Sequence, residues 1–226
     1  MLQRTRRRAR GSHDDGEPNM RSSTPHTAPD RSTTASAGAA CQHACQPGSG
    51  TLRASLPDEH PIATFLDEHQ VILSHLERLA ELTAAPTAPQ QRAELEELAR
   101  LASRLIGVEP HHQREEQVLF PALQELGIHG PTEAMASEHV RLRVLKHALD
   151  DLARRLLSGD RRAWPDARVT AEALVEMLRA HIAKEDGVLY PLALRVIHAS
   201  AWAELRRRCD AIGYCCQVAG SQADRP

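Results

Sequence analysis

The feature of this sequence that most restricts its fold is an internal duplication. Shifted by 70 residues, the chain lays His69 on His139, His111 on His181, Glu115 on Glu185, Glu116 on Asp186, Val118 on Val188, Leu119 on Leu189, Phe120 on Tyr190 and Pro121 on Pro191. Glu68 meets Glu138 and Pro61 meets Pro131 in the same register. Each half reads Glu-His, 41 intervening residues, then HxxxE, an acid and VL[FY]P. A repeat of this length is one supersecondary unit that cannot bury its apolar face alone, so two copies must share one core.

The unit is helical. Ile62, Phe65, Leu66, His69, Ile72, Leu73, Leu76 and Leu79 fall at steps of three and four, which is one buried helix stripe ending near Thr83. After AAPTAPQ, Leu95, Leu98, Leu101, Ala102 and Leu105 open a second stretch running to about Leu126, with Pro110 placed to kink or interrupt it. The glycines and proline of GIHGPTEA stop that helix and start a third, which ends near Leu157. Pro165 stands near the start of a fourth, with Leu174, Leu178, His181, Ile182, Glu185, Leu189 and Leu192 on one side, and a short fifth covers Ala199 to Ile212. Short connections between long amphipathic helices predict an all-α, up-down-up-down four-helix bundle. Hydrophobic residues make up 41% but aromatic ones only 3%, a balance that fits close-packed helices and argues against sheets.

Residues 1 to 56 are rich in Ser, Thr, Pro, Gly and Arg without helical or strand periodicity, and are expected to be a disordered tail. The bundle is expected over 57–216, with 217–226 as a C-terminal tail. A formal net charge of -2 gives no field for phosphate backbones, so nucleic acid is not an expected partner. No apolar run reaches the length of a membrane span, and the basic start MLQRTRRRARG is followed by polar residues instead of the apolar core of a secretion signal. Five cysteines clustered at the two ends do not form a disulfide framework, which points to a reducing cytoplasm. Cys41 and Cys45 lack the CxxC spacing of a zinc site.

A histidine and a glutamate four residues apart lie on one helix face, one turn apart. In each half the paired helix supplies another histidine, so two hairpins deliver His69, His111, His139, His181, Glu115 and Glu185 to the bundle axis. One such histidine alone would be an ordinary hydrogen-bonded core residue, and one such glutamate a solvated charge. Two histidines and one acid placed twice at identical spacing would be costly buried polar groups without a shared partner. Imidazole with carboxylate and no thiolate suits a first-row metal, with iron or manganese better matched than zinc. The predicted centre is dinuclear, with iron as its metal ahead of manganese or zinc. His112 with Glu116 repeats the spacing of His111 with Glu115, but only His111 has a mate under the 70-residue shift. Glu116 and Asp186 stand as reserve ligands or as acceptors that orient imidazoles. Val118, Leu119, Phe120, Val188, Leu189 and Tyr190 read as core packing, with Tyr190 able to donate a hydrogen bond to Glu185. His60, His75, His129, His147 and His198 read as structural or surface residues.

The segments EHQVILSHLERL, HHQREEQVLFPAL, GIHGPTEAMASEHVRL and HIAKEDGVLYPLAL resemble the hemerythrin-like HHE cation-binding domain, and WAELRRRCDAIGYCC is similar to the W…IGYC ending of some bacterial members. The resemblance covers about residues 58 to 216. It implies a non-haem di-iron centre held by His69, His111, Glu115, His139, His181 and Glu185, with both glutamates as bridges. Oxygen-carrying members have a further histidine one turn from the third-helix ligand. Here the positions four away from His139 are Met135 and Arg143, which implies a more symmetric centre with an exchangeable position on either ion. The function expected is binding or sensing of O2, NO, peroxide or related oxidants by a cytoplasmic protein. The other readings are an iron donor that repairs damaged iron-sulfur centres in a recipient protein, and an interaction module whose metal is purely structural.

Overall fold

The computed structural model of the chain describes residues 49–215, and the expected tails beyond them, with Cys41, Cys45 and Cys216, lie outside the described residues. Helices account for nearly all regular structure there, with no strand among the described residues. In chain order they are α1 (Ser49–Ala54), α2 (Pro61–Thr83), α3 (Arg92–Ile106), α4 (Glu109–Arg114), α5 (Phe120–Gln124), α6 (Gly130–Leu157), α7 (Trp164–Lys184), α8 (Tyr190–Val196) and α9 (Trp202–Ile212). Composition gave no sign of α1, which falls in the stretch expected to be a tail. Arg53 fastens it by donating from Nε to Asp67 and from Nη2 to Asp58, both at 2.7 Å.

Local chemistry sets the helix ends. His60 caps α2, its Nδ1 accepting from the Ile62 N–H at 3.1 Å, and Pro61 fills the first turn, where no amide hydrogen is needed. The long second helix foreseen in the sequence is divided, with Gly107 ending α3 and Pro110 placed in the first turn of α4. Gly127 and Gly159 take φ of 82° and 100°, allowing the chain to turn out of α5 and α6. Behind them the N–H groups of Ile128 and Asp160 close back onto the carbonyls of Leu123 and Arg155, each at 3.0 Å.

The helices form a bundle: α2 packs on α3 and α7, and α6 packs on α3 and α7. Two apolar clusters fill it. One joins Ile72, Leu76, Leu98, Leu105, Val108, Leu142, Leu174 and Ile182, and the other joins Phe65, Leu66, Val118, Leu119, Met135, Leu189 and Tyr190. Along its own helix each of His69, His111, His139 and His181 falls between a member of one cluster and a member of the other, so the polar layer lies between two dry ones. No described helix is long and apolar enough to cross a membrane. Val188, expected in the core, is 59% exposed while its mate Val118 is 2% exposed. The difference comes from α9, which packs on α4 and on the turn that carries Val118.

Leu105→Ala removes a fully buried side chain from the first cluster, away from the polar layer. A loss of about 2–5 kcal/mol in urea unfolding is expected, with cation uptake by the folded protein unchanged.

Candidate metal centre

Between α4 and α5, and again between α7 and α8, the helix widens into a five-residue π-turn, Glu115–Leu119 and Glu185–Leu189. The N–H of Phe120 donates to the Glu115 carbonyl and that of Tyr190 to the Glu185 carbonyl, each spanning five residues instead of four. Such bulges concentrate at functional sites. Both begin at the glutamate predicted as a ligand, and both are followed by a proline, Pro121 or Pro191, which has no amide hydrogen for the ordinary ladder. The Gln117 carbonyl, four residues before Pro121, instead accepts from Arg208 Nη2 at 2.7 Å.

All six predicted side chains meet at this level, each no more than 1% exposed. The Nε2 atoms of His69 and His111 are 3.1 Å apart, and those of His139 and His181 are 2.9 Å apart. Glu185 lies between the pairs: Oε2 is 3.3 Å from His69 Nε2, while Oε1 is 2.9 Å from His181 Nε2 and 3.8 Å from His139 Nε2. Glu115 Oε2 is 3.5 Å from both His111 Nε2 and His139 Nε2. Its other oxygen accepts from the Tyr190 hydroxyl at 2.8 Å. That corrects the expectation that Tyr190 would serve Glu185: the hydroxyl crosses to the carboxylate of the other half.

Each histidine has a carboxylate behind it. His69 Nδ1 meets Asp186 Oδ1 at 2.7 Å, and His111 with Glu68, His139 with Glu116 and His181 with Glu138 make the same contact at 2.8 Å. A carboxylate at Nδ1 fixes the proton there and turns the lone pair of Nε2 inward, the state a cation requires. Glu116 and Asp186 therefore act as orienting acceptors in this geometry. Glu68 and Glu138 do the same work, a role that the repeated Glu-His pair signalled but that spacing alone did not assign. Arg114 Nη2 donates to both oxygens of Glu68 at 2.6 Å, and Lys184, its mate in the repeat, pairs with Glu138. Arg143 holds Glu116 and Glu109.

The interior oxygens leave a demand unmet. Glu115 Oε2 and both oxygens of Glu185 are buried with no hydrogen-bond partner among the described residues. Burial and the neighbouring Glu185 push the Glu115 carboxyl well above the usual range, whereas Glu185, despite its burial, is held well below that range by His181 and the other imidazoles. Burial opposes charge on His69, but Asp186 and Glu185 outweigh it and raise its pKa to about 10. Burial lowers His111 to about 4. Two nitrogens about 3.0 Å apart match two ligands at roughly 2.1 Å from one small cation at a right angle, so the donor set fits a metal in both type and spacing.

Three groupings could hold an ion: His69, His111 and Glu185; Glu115, His139, His181 and Glu185; and His112, His139 and His181. The last brings in His112, which the 70-residue shift had set aside. Its ring is buried and stacks on His139 with centroids 4.1 Å apart. Lys146, also buried, has no hydrogen-bond partner for Nζ among the described residues, and burial lowers its pKa to about 8.

A helical bundle with a buried layer of imidazoles and carboxylates defines a cation-binding protein. The chain matches the Hemerythrin HHE cation binding domain over residues 60–193 and belongs to that family. It is 27% identical over 162 residues to uncharacterized proteins of Mycobacterium bovis and Mycobacterium tuberculosis, covering 68% of this chain. The chain spans 62% of the length of those curated relatives.

Two stability measurements follow from the outer carboxylates. Glu68→Gln leaves the buried Arg114 guanidinium without its anion and is expected to cost about 3–5 kcal/mol in chemical denaturation. Glu138→Gln, at a partly exposed pair, should cost under about 1 kcal/mol. Burial raises the pKa of Glu68 and Glu116, but His111 and Arg114 for the former, and His139 and Arg143 for the latter, bring each down to about 2 from 4.5. A depressed folded-state pKa stabilises above the unfolded value and ceases to do so as pH falls through the folded one. Cation-free protein should therefore lose stability between about pH 4.5 and 2, with a weaker acid dependence in Glu68→Gln, read from denaturation midpoints against pH.

Proposed function

We propose that this chain is a non-haem di-iron protein that binds or senses a small oxidant, O2 or NO foremost and peroxide as a further candidate. The observation that carries the reading is the position of Glu185, whose two oxygens face different histidine pairs. A carboxylate so placed could be shared by two cations and would offset charge on both. The ligand set is then His69, His111, His139 and His181, with Glu115 and Glu185 shared. Its all-nitrogen-and-oxygen composition, without thiolate, supports iron or manganese over zinc. An iron pair held there would supply redox chemistry toward a diatomic ligand.

The chain's own groups keep that environment dry and fixed. Phe65, Leu66, Phe120 and Met135 close the layer on one side and Ile72, Leu142 and Ile182 on the other, excluding water. Tyr190 steadies Glu115 through one oxygen and leaves the other directed at the imidazoles. An up-down-up-down order is supported by each long helix packing on two others. Cytoplasmic placement is supported by the buried Cys209 thiol, which joins no disulfide among the described residues. The burial of every ligand favours a retained centre over iron handed to a recipient iron-sulfur protein.

Purified protein loaded anaerobically with ferrous iron is expected to hold two irons per chain by metal analysis. It should change its near-ultraviolet absorption within a stopped-flow record on mixing with O2 or NO. A loaded protein that is silent to both gases overturns the oxidant reading and leaves a structural metal. Iron that passes to an apo iron-sulfur protein under reducing conditions favours the repair role.

A further inference from the structure

The Arg114 guanidinium is withdrawn from solvent, its side chain 1% exposed, whereas that of Lys184, its mate in the repeat, is 45% exposed. A buried guanidinium needs contacts that replace its hydration. Arg114 donates from Nε to the Pro110 carbonyl at 3.2 Å and from Nη2 to both oxygens of Glu68. Two rings meet the rest of it, with Cζ 5.0 Å from the centre of Phe65 and 4.5 Å from the centre of Tyr214. An aromatic face attracts a guanidinium most strongly where water is kept out. No ring covers Lys184 among the described residues.

The two rings arrive by different routes. Phe65 belongs to α2 and stands edge-on to His111, with centroids 5.1 Å apart. Tyr214 lies beyond α9, just past Gly213, whose φ of 94° is one that L side chains rarely adopt. α9 is moored along its length. Trp202 tilts onto His60, the cap of α2, at 4.4 Å between centroids, and Asp210 accepts from both Arg206 Nε and the Tyr214 hydroxyl. Trp202, Ile212, Gly213 and Tyr214 are the W…IGY residues that the duplication leaves unexplained.

We propose that Tyr214 is a positioning residue for cation binding, its ring shutting water away from the Arg114–Glu68 pair that orients His111. The proposal rests on His111 being a ligand, as read above, and adds the side chain that keeps its support dry. Tyr214 and Phe65 enclose Arg114, Arg114 fixes both oxygens of Glu68, and Glu68 Oε2 holds the His111 Nδ1 proton at 2.8 Å, which leaves Nε2 for the cation. Removing the Tyr214 ring admits water to compete for Glu68. In the other half the carboxylate behind His181 is already 21% exposed, so His181 does not depend on Tyr214.

Cobalt(II), which has a visible spectrum, is the probe of affinity. Tyr214→Leu should weaken cobalt uptake by about tenfold, at the low end of the loss that follows removal of an outer partner of a ligand. Tyr214→Phe, which keeps the ring, should bind like the wild type. The second readout is solvent exchange of imidazole protons by NMR in the cation-free protein. Tyr214→Leu should speed exchange at His111 Nδ1 by at least about tenfold and leave His181 Nδ1 unchanged. Equal acceleration at both histidines would mean general loosening and overturns the proposal, as does an equal loss of affinity in the Leu and Phe variants. The wild-type chain supplies a comparison that needs no variant: His111 Nδ1–H should exchange more slowly than His181 Nδ1–H, and equal rates overturn the proposal. Wild-type protein that binds no cobalt overturns the ligand reading, while the exchange data still decide whether Tyr214 shields His111.

Discussion

The structure turns on two carboxylates that face each other where water does not reach. Glu115 and Glu185 are both fully buried, and the interior oxygens of each lack a hydrogen-bond donor among the described residues. Two like charges at close range in a poorly polarisable interior do not both ionise unless positive charge lies between them. Four imidazoles presenting lone pairs cannot supply that charge while they remain neutral. Protons can supply it in part, which accounts for the raised pKa of Glu115 and of His69. A bound cation would supply it, and the carboxylates behind the four histidines orient the imidazoles toward the place where one would sit.

The duplication yields one site instead of two because the supporting hydrogen bonds cross between halves. His111 with Glu68 and His181 with Glu138 are pairs within a half. His69 with Asp186 and His139 with Glu116 join opposite halves. Tyr190, from the second half, holds Glu115 of the first. Neither hairpin could orient all its own histidines alone, so burial of the polar layer and assembly of the bundle are one event. The apolar clusters above and below then act as walls, and the desolvation they impose makes the unpaired oxygens strong acceptors.

Much of this was legible in the sequence, for identifiable reasons. Helical periodicity and Pro-Gly punctuation located α2, α6 and α7, because both signals are local. The six residues that meet at the centre were legible because the repeat restricted them twice over. The π-turns were not, since a widened turn keeps the same residues near one face and alters no short-range pattern. Their sign was the paired Pro121 and Pro191, which has meaning only once the carbonyls behind them are known to lack ordinary donors. Val188 was misplaced because burial there depends on α9, a segment without a copy in the repeat. Tyr190 was assigned to the nearer glutamate in sequence, whereas its partner is set by the crossing of the halves. α1 escaped detection because its polar composition resembles a tail, and it is fastened by the Arg53 ion pairs with Asp67 and Asp58 and by Leu52 alone of its apolar side chains, too few for a periodic signal.

Where the halves differ, they differ around the centre and not in the six residues that form it. Glu116 behind His139 is shared with Arg143, whose mate in the repeat is Leu73. Asp186 behind His69 is shared with no basic side chain among the described residues. A carboxylate engaged by a guanidinium pushes less electron density into the imidazole it orients, so His139 is the weaker donor of the two. The same side carries Lys146, buried where its mate Leu76 is apolar, adding positive potential near that cation position. Phe120 stacks on His139 where Tyr190 stacks on His69, so a hydroxyl is present on one side only. These differences make His69 a stronger donor than His139, whereas behind His111 the Arg114 guanidinium draws on Glu68 in the opposite sense. A duplicated scaffold can thus keep its ligand spacing fixed by helix geometry while its outer partners make two chemically distinct positions.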